Sequence, residues 1–203
     1  MREERTVLSS IRADLESYSL VSRAIIVADE AHKGQLRKSD GSPYIHHPIQ
    51  VGLILARHNY PAHVVAAGIL HDVIEDTGVS EEELRVKFGG EIADLVMDVT
   101  EPSKKLPWKE RKRAYLERLR LAPIDAVGIS IADRIHNKAS FLQTYKEQGE
   151  SLFLRFNADF RTSLENDRQV LEIYKDRLGE NHPLMKELEK YMKELEEISR
   201  QVV

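Results

Sequence analysis

Residues 61–77 read PAHVVAAGILHDVIEDT. An uninterrupted apolar run, Val64 to Leu70, gives way at once to His71, Asp72, Glu75 and Asp76. Pro61 opens a helix that the pattern carries through His71 to Glu75, and a segment apolar on every side belongs at the centre of a helical core. On such a helix His71 and Glu75 lie one turn apart, as do Asp72 and Asp76. Burying an unpaired charge costs on the order of several kcal/mol. Three acids and an imidazole on one buried turn therefore repel or neutralise one another unless a cation sits among them.

The surroundings of this stretch read as helix in both directions. Residues 6–18 and 20–33 place apolar side chains three and four apart. Gly34 to His47 is irregular, with Asp40-Gly41 and Ser42-Pro43 as turn signals, and Pro48 is expected at the first position of the next helix. Ser80 with Glu83 matches a capping box, predicting a short helix that ends at Phe88-Gly89-Gly90. Ile92 to Val99 continues as helix, and Glu101 to Pro107 is a polar loop. Helices are then expected over 108–121, 124–143, 159–178 and 183–200. Val127 to Ile131 has strand-like composition but no partner strand, so the expected fold class is all-α.

Composition narrows the function. With 203 residues, 41% hydrophobic and 32% charged, the chain suits one compact domain spanning 1–203. It has no cysteine, which excludes disulfides, thiolate metal sites and cysteine nucleophiles. The charged start Met1-Arg2-Glu3-Glu4-Arg5 lacks a following apolar region, and the longest apolar run is too short to span a bilayer, so a cytoplasmic protein without membrane contact is expected. The net charge of −4 gives no global attraction to nucleic acid. Locally, Lys104 to Arg120 carries eight basic and two acidic residues, a net of +6. If that segment borders a cleft, Lys109, Arg111 and Lys112 are candidates to attract a polyphosphate; otherwise it is a solvated helix face. The amphipathic terminal helices leave pairing between chains open.

Two further apolar runs are interrupted in the same way. Asp133 ends the run 126–132, with Arg134, His136 and Asn137 on the next turn, and Tyr44-Ile45-His46-His47-Pro48 puts two histidines at the mouth of a helix. Only one of His46 and His47 need point inward. Taken together, His47, His71, Asp72 and Asp133 make a set of two imidazoles and two carboxylates. Two carboxylates neutralise a divalent ion, and mixed N/O ligation suits Mn²⁺, Fe²⁺ or Zn²⁺ better than Ca²⁺. Such an ion polarises a phosphoryl oxygen and lowers the pKa of a bound water, and Glu75 and Asp76 stand one turn along to move protons. His32 reads as a residue that supports the ligands, His58, His63 and His182 as surface residues, and Trp108 as packing.

These stretches, in this order, resemble the HD-domain hydrolases of the RelA/SpoT group, and in size the single-domain small alarmone hydrolases. The matching motifs are Ala31 to Ser39 (AHKGQLRKS), Tyr44 to Pro48 (YIHHP), His71 to Thr77 (HDVIEDT), Phe88-Gly89-Gly90 and Ile131 to Asn137 (IADRIHN), within residues 20–140. The resemblance implies an HD-domain helical bundle, followed by C-terminal helices over about 150–200. It implies one Mn²⁺ held by His47, His71, Asp72 and Asp133, and acid/base roles for Glu75 and Asp76. Substrate contacts are implied for Arg37, Lys38 and Ser39 near base and phosphates, and for Asn137 and Ser140 near ribose and phosphate. The implied reaction removes the 3′-pyrophosphate of guanosine tetra- or pentaphosphate, giving GDP or GTP plus pyrophosphate. The length leaves no room for the synthetase domain of the long relatives, so synthesis is not expected.

One region departs from the family pattern. Relatives often carry an aromatic residue in the penultimate long helix that helps close the nucleotide pocket. Here that place reads Glu165-Asn166-Asp167, with Phe156, Phe160 and Tyr174 as the nearest aromatics. Two other readings therefore stand beside the alarmone hydrolase. One is a phosphohydrolase of another nucleotide, a phosphomonoester or a nicotinamide dinucleotide phosphate. The other is a non-catalytic nucleotide-sensing module.

Overall fold

The computed structural model describes residues 2–102, 105–155 and 160–201, with side chains from Asp14 onward except at 154 and 155. Within them α1 is Arg2–Ala31, α2 His46–Arg57, α3 Ala62–Leu70, α4 Val73–Asp76, α5 Glu81–Phe88 and α6 Gly90–Val99. The chain continues with α7 (Trp108–Leu121), α8 (Ile124–Gln148), a 3₁₀ helix (Gly149–Arg155), α9 (Phe160–Leu178) and α10 (Pro183–Gln201). Among the described residues no strand forms, and Leu36 and Pro43 make only an isolated bridge. The all-α expectation stands.

Helix α3 is the hub. Val64 through Leu70 are all buried, and α1, α2, α6 and α8 pack around it. A helix apolar on every face has no side to give to solvent, so it draws its neighbours in from every direction. Helix α8 buries Ala126 to Ala132 and Ile135 before turning polar, so Val127 to Ile131 belongs to a helix. Gly128 sits where a Cβ would come within 2.5–2.6 Å of the Tyr60 ring, which lies directly on its backbone.

Several boundaries differ from the sequence expectation. The two helices expected over 6–18 and 20–33 are one, Arg2–Ala31, which no glycine or proline interrupts and which stops two residues short of Lys33. Helix α2 starts two residues before Pro48, from a turn in which the His47 N–H bonds the Tyr44 carbonyl. Pro48 then sits in the first turn, where its missing N–H costs nothing. Pro61 caps α3 rather than opening it, and the helix expected to run through Glu75 ends at Leu70 and resumes as α4. The capping box forms as read: Ser80 Oγ accepts from the Glu83 N–H while Glu83 bonds back to the Ser80 N–H.

Candidate active site

The break between α3 and α4 aims His71 and Asp72 at the start of α2 and the middle of α8. His71 Nδ1 donates to the Gly68 carbonyl at 2.8 Å, which turns its Nε2 to the interior. His47 Nε2 lies 3.3 Å from His71 Nε2, 3.5 Å from Asp72 Oδ2 and 3.1 Å from Asp133 Oδ1. His71 Nε2 is 3.1 Å from Asp72 Oδ2 and 3.7 Å from Asp133 Oδ1. Ligands about 2.1 Å from one ion sit roughly 3 to 3.5 Å from each other, so this donor set fits a divalent transition metal. His47, His71 and Asp133 offer ligand atoms that all lie within 4.8 Å of one another. His46, next along the chain, is exposed and takes no part.

The electrostatics agree with the geometry. Burial opposes charge on His71, yet Asp72 and Asp133 beside it hold its pKa well above the ordinary imidazole value. Burial likewise opposes charge on Asp72 and Asp133, but His71 and His47 hold both carboxyls well below the usual range. Two negative charges on side chains only 16% and 28% exposed demand positive compensation, and it is the neutral form of an imidazole that can ligate a metal. His136 sets the orientation of His47, since the two Nδ1 atoms are 2.8 Å apart. Burial first, then His47 and Arg37, push the His136 pKa down to about 4, and a neutral His136 can accept a hydrogen bond from His47 Nδ1.

Glu75 and Asp76 follow on α4. Burial first, then Asp72 and Glu101, raise the Glu75 pKa, and its Oε2 accepts the Glu101 N–H at 3.1 Å. Tyr44 donates to Asp72 Oδ2 at 2.6 Å and lies 3.1 Å from Asp76 Oδ2; burial and those acids keep the phenol protonated. Gln35 donates to the Asp76 carbonyl at 2.9 Å, and His32, its ring centred 4.7 Å from that of Tyr44 and tilted 31° to it, meets Gln35 Oε1 at 2.9 Å. The Ala31 to Ser39 motif thus braces Asp76 directly and Asp72 by way of Tyr44, and His32 hydrogen-bonds within it.

All six residues open on a cavity of about 1370 Å³, which Arg37, Lys38, Ser39 and Asn137 also line. Arg37 Nη2 donates to Asn137 Oδ1 at 3.3 Å and lies 3.5 Å from Ser140 Oγ, while Asn137 Nδ2 donates to Asp133 Oδ1 at 2.6 Å. Ser140 is not on the cavity wall and acts here through Arg37. Of the basic segment, Arg111 and Lys112 reach the wall and Lys109 does not.

A family model described as an HD domain matches residues 24–155. The chain belongs to the HD-domain family. The HD domain is 41% identical over 118 residues to the guanosine-3′,5′-bis(diphosphate) 3′-pyrophosphohydrolase of Haemophilus influenzae, covering 55% of this chain and 17% of that protein. It is 39% identical over 121 residues to the bifunctional (p)ppGpp synthase/hydrolase SpoT of Escherichia coli K12, covering 57% of this chain and 17% of that protein. The chain thus matches under a fifth of the length of these curated relatives. Among solved structures, a metazoan ortholog of SpoT that hydrolyses ppGpp superposes with a TM-score of 0.72 at 26% identity, over 86% of this chain and 94% of that one. A Listeria monocytogenes EGD-e protein gives a TM-score of 0.67 at 30% identity, over 73% of this chain and 97% of that one.

Several residues of the HD-domain site were not singled out by the sequence. Tyr44, Gln35 and His136 lie inside the quoted motifs, but nothing in a linear pattern marks which neighbour carries a supporting hydrogen bond. Trp108, expected as packing, lines the cavity. Glu165 to Asp167 supplies no aromatic ring. Instead Phe141 of α8, Phe153 of the 3₁₀ helix and Phe160 of α9 form an aromatic wall, with Phe141 and Phe160 stacked 5.6 Å apart and 5° from parallel. Phe156 lies outside the described residues, and Tyr174 is buried on Ser130 and Arg134. No helix among the described residues is long and apolar enough to cross a membrane.

Proposed function

We propose that this HD domain hydrolyses the 3′-pyrophosphate of guanosine tetra- or pentaphosphate, yielding GDP or GTP and pyrophosphate. Its ion is Mn²⁺, held by His47, His71, Asp72 and Asp133, and its partner is that nucleotide. The observation that carries the reading is one cavity lined both by a convergent cluster of imidazoles and carboxylates, His47, His71, Asp72 and Asp133, and by the cations Arg37, Lys38, Arg111 and Lys112. The likeness to pyrophosphohydrolases of the SpoT group supports the substrate.

A divalent ion held by His47, His71, Asp72 and Asp133 would supply Lewis acidity there, to polarise a phosphoryl oxygen and lower the pKa of a water. In the reaction a water oxygen bonds to the phosphorus that carries the 3′-oxygen, the P–O3′ bond breaks, and pyrophosphate departs. Asp76, fixed through Tyr44 and Gln35, takes the water's proton. Glu75, whose carboxyl is pushed up by burial and by its acidic neighbours, holds the proton that the leaving 3′-oxygen needs. Asn137 ties Asp133 to Arg37 and so couples the ligand cluster to the substrate side of the cavity.

The test is incubation of Mn²⁺-loaded protein with guanosine tetraphosphate and detection of GDP and pyrophosphate, with Asp133→Ala as control. Turnover that vanishes in the variant supports metal site and substrate together. A folded, metal-loaded protein without turnover overturns the reading. A second reading, hydrolysis of a different phosphorylated nucleotide, is favoured by the aromatic wall of Phe141, Phe153 and Phe160, whose faces do not select one base. A panel of nucleotides decides between them through relative kcat/KM.

A further inference from the structure

The two basic clusters that border the cavity are built alike and are committed differently. On one wall Arg134 Nη1 donates to Asp167 Oδ1 at 2.7 Å, Lys138 binds the other oxygen, and Arg134 Nε donates to the Tyr174 hydroxyl. Tyr174 in turn meets Ser130, so this cluster is locked into the packing of α8 on α9. On the other wall Arg111 Nη1 donates to Glu101 Oε2 at 3.0 Å, and Lys112 pairs with Glu101 Oε1. There two cations share one carboxylate, for a net charge of +1. Arg111 Nε is buried with no hydrogen-bond partner among the described residues, while the residue lines the cavity wall with its Nη1 turned to Glu101.

Position decides what this second cluster faces. The Glu101 N–H is bonded to the Glu75 carboxylate, and Glu75 stands one turn beyond Asp72. The chain of contacts therefore runs from the metal ligand Asp72 through Glu75 to Glu101 and then to Arg111 and Lys112. A phosphoryl group reacting among the ligands has, on the Glu75 side, a cationic station beyond Glu101 on the same cavity wall. A 3′-monophosphate ends at the reacting phosphorus and has nothing to place there. A 3′-diphosphate has a distal phosphate with its own negative charge, which bidentate guanidinium and ammonium donors match.

We propose that Arg111 and Lys112, presented by Glu101, are the receptor for the distal phosphate of a 3′-diphosphate, and so set a preference for pyrophosphoryl over monophosphoryl esters. The proposal rests on the reading of the site as a nucleotide 3′-pyrophosphohydrolase and adds what distinguishes that reaction from phosphomonoester hydrolysis. Glu101 keeps the two cations oriented and partly neutralised, and a bound phosphate shares them with it.

The experiment compares guanosine 5′-diphosphate 3′-diphosphate with guanosine 5′-diphosphate 3′-monophosphate on the Mn²⁺-loaded chain. In parallel, calorimetric titrations use pyrophosphate and orthophosphate, each pre-equilibrated with Mn²⁺. Arg111→Gln and Lys112→Gln are each expected to lower kcat/KM for the 3′-diphosphate roughly ten- to hundredfold, while the 3′-monophosphate changes less than about threefold. Pyrophosphate affinity falls with the first, and orthophosphate affinity does not. Glu101→Gln, which frees both cations without removing either, is expected to tighten pyrophosphate binding, an effect that loss of a merely structural ion pair does not produce. Urea midpoints are measured for each variant, and Arg111→Lys, which keeps the charge but not the fork, retains part of the discrimination. Equal loss on both esters, no change on either, or weaker pyrophosphate binding in Glu101→Gln overturns the proposal. Failure of the unsubstituted chain to hydrolyse either nucleotide overturns the functional reading alone, since the titrations still decide whether this cluster selects pyrophosphate.

Discussion

Asp167→Asn is a severe test of how the cavity wall is held. The carboxylate has 5% of its side chain exposed, against 14% and 16% for its partners Arg134 and Lys138. Neutralising it leaves two cations facing each other with no counter-charge between α8 and α9. Removing one member of a buried ion pair costs about 3 to 5 kcal/mol, and the partial exposure of the two cations places this case near the lower figure, roughly 3 kcal/mol. For a chain of about this length each kcal/mol moves the melting temperature by roughly 2–4 °C, so a fall of roughly 6–12 °C is expected. The adjacent residue is an internal control. Arg168 is half exposed where it meets Glu165 and Glu196, and Arg168→Ala is expected to cost less than about 1 kcal/mol. Urea unfolding followed by far-ultraviolet circular dichroism gives both values under one protocol. If Asp167→Asn costs no more than Arg168→Ala, the wall is held by apolar packing, and the ion-pair argument is wrong.

Other perturbations have equally definite outcomes. His136→Ala removes the acceptor that fixes the His47 tautomer and is expected to weaken divalent metal binding roughly 10- to 100-fold, read by competition with a fluorescent chelator. Gly128→Ala drives a Cβ into the Tyr60 ring within a buried helix contact, costing roughly 1–3 kcal/mol in urea unfolding. Mn²⁺ at a hundred times its dissociation constant is expected to stabilise the folded chain by about 2.7 kcal/mol, seen as a melting shift that a chelator reverses and that Asp133→Ala lacks.

The residues that converge at the cluster could be picked from the sequence because buried charge is anomalous in any apolar run. Val64 to Leu70 and Ala126 to Ala132 mark two core helices, and the acids that interrupt them have to be compensated wherever the chain folds. Polar support was less legible, because a hydrogen bond between Gln35 and the Asp76 carbonyl spans 41 residues and leaves no periodic trace. The break at His71-Asp72 was missed for a related reason. Helical periodicity persists across it, and the Asp76 N–H still bonds the Asp72 carbonyl, so only the tertiary geometry reveals the turn. Glu165-Asn166-Asp167 reads as a lost aromatic only when taken as part of a line. Asp167 belongs to an ion pair with helix α8, and the rings lie on three other stretches of chain.

These placements divide the cavity's charges into two populations. Asp167 is matched by Arg134 and Lys138, and Glu101 by Arg111 and Lys112, so each of these acids is more than balanced. Asp72 and Asp133 meet imidazoles, a phenol and an amide in the described hydrogen bonds and ion pairs. Imidazoles compensate carboxylates only when protonated, and a protonated imidazole cannot ligate. The floor of the cavity therefore favours a cation, while the walls, with surplus positive charge, favour an anion. A ligand that satisfies both ends must itself be a polyanion able to share a divalent ion, and a nucleotide bearing a 3′-diphosphate meets both demands at once. A neutral substrate would leave the walls uncompensated, and a free cation without an anion would add to their repulsion.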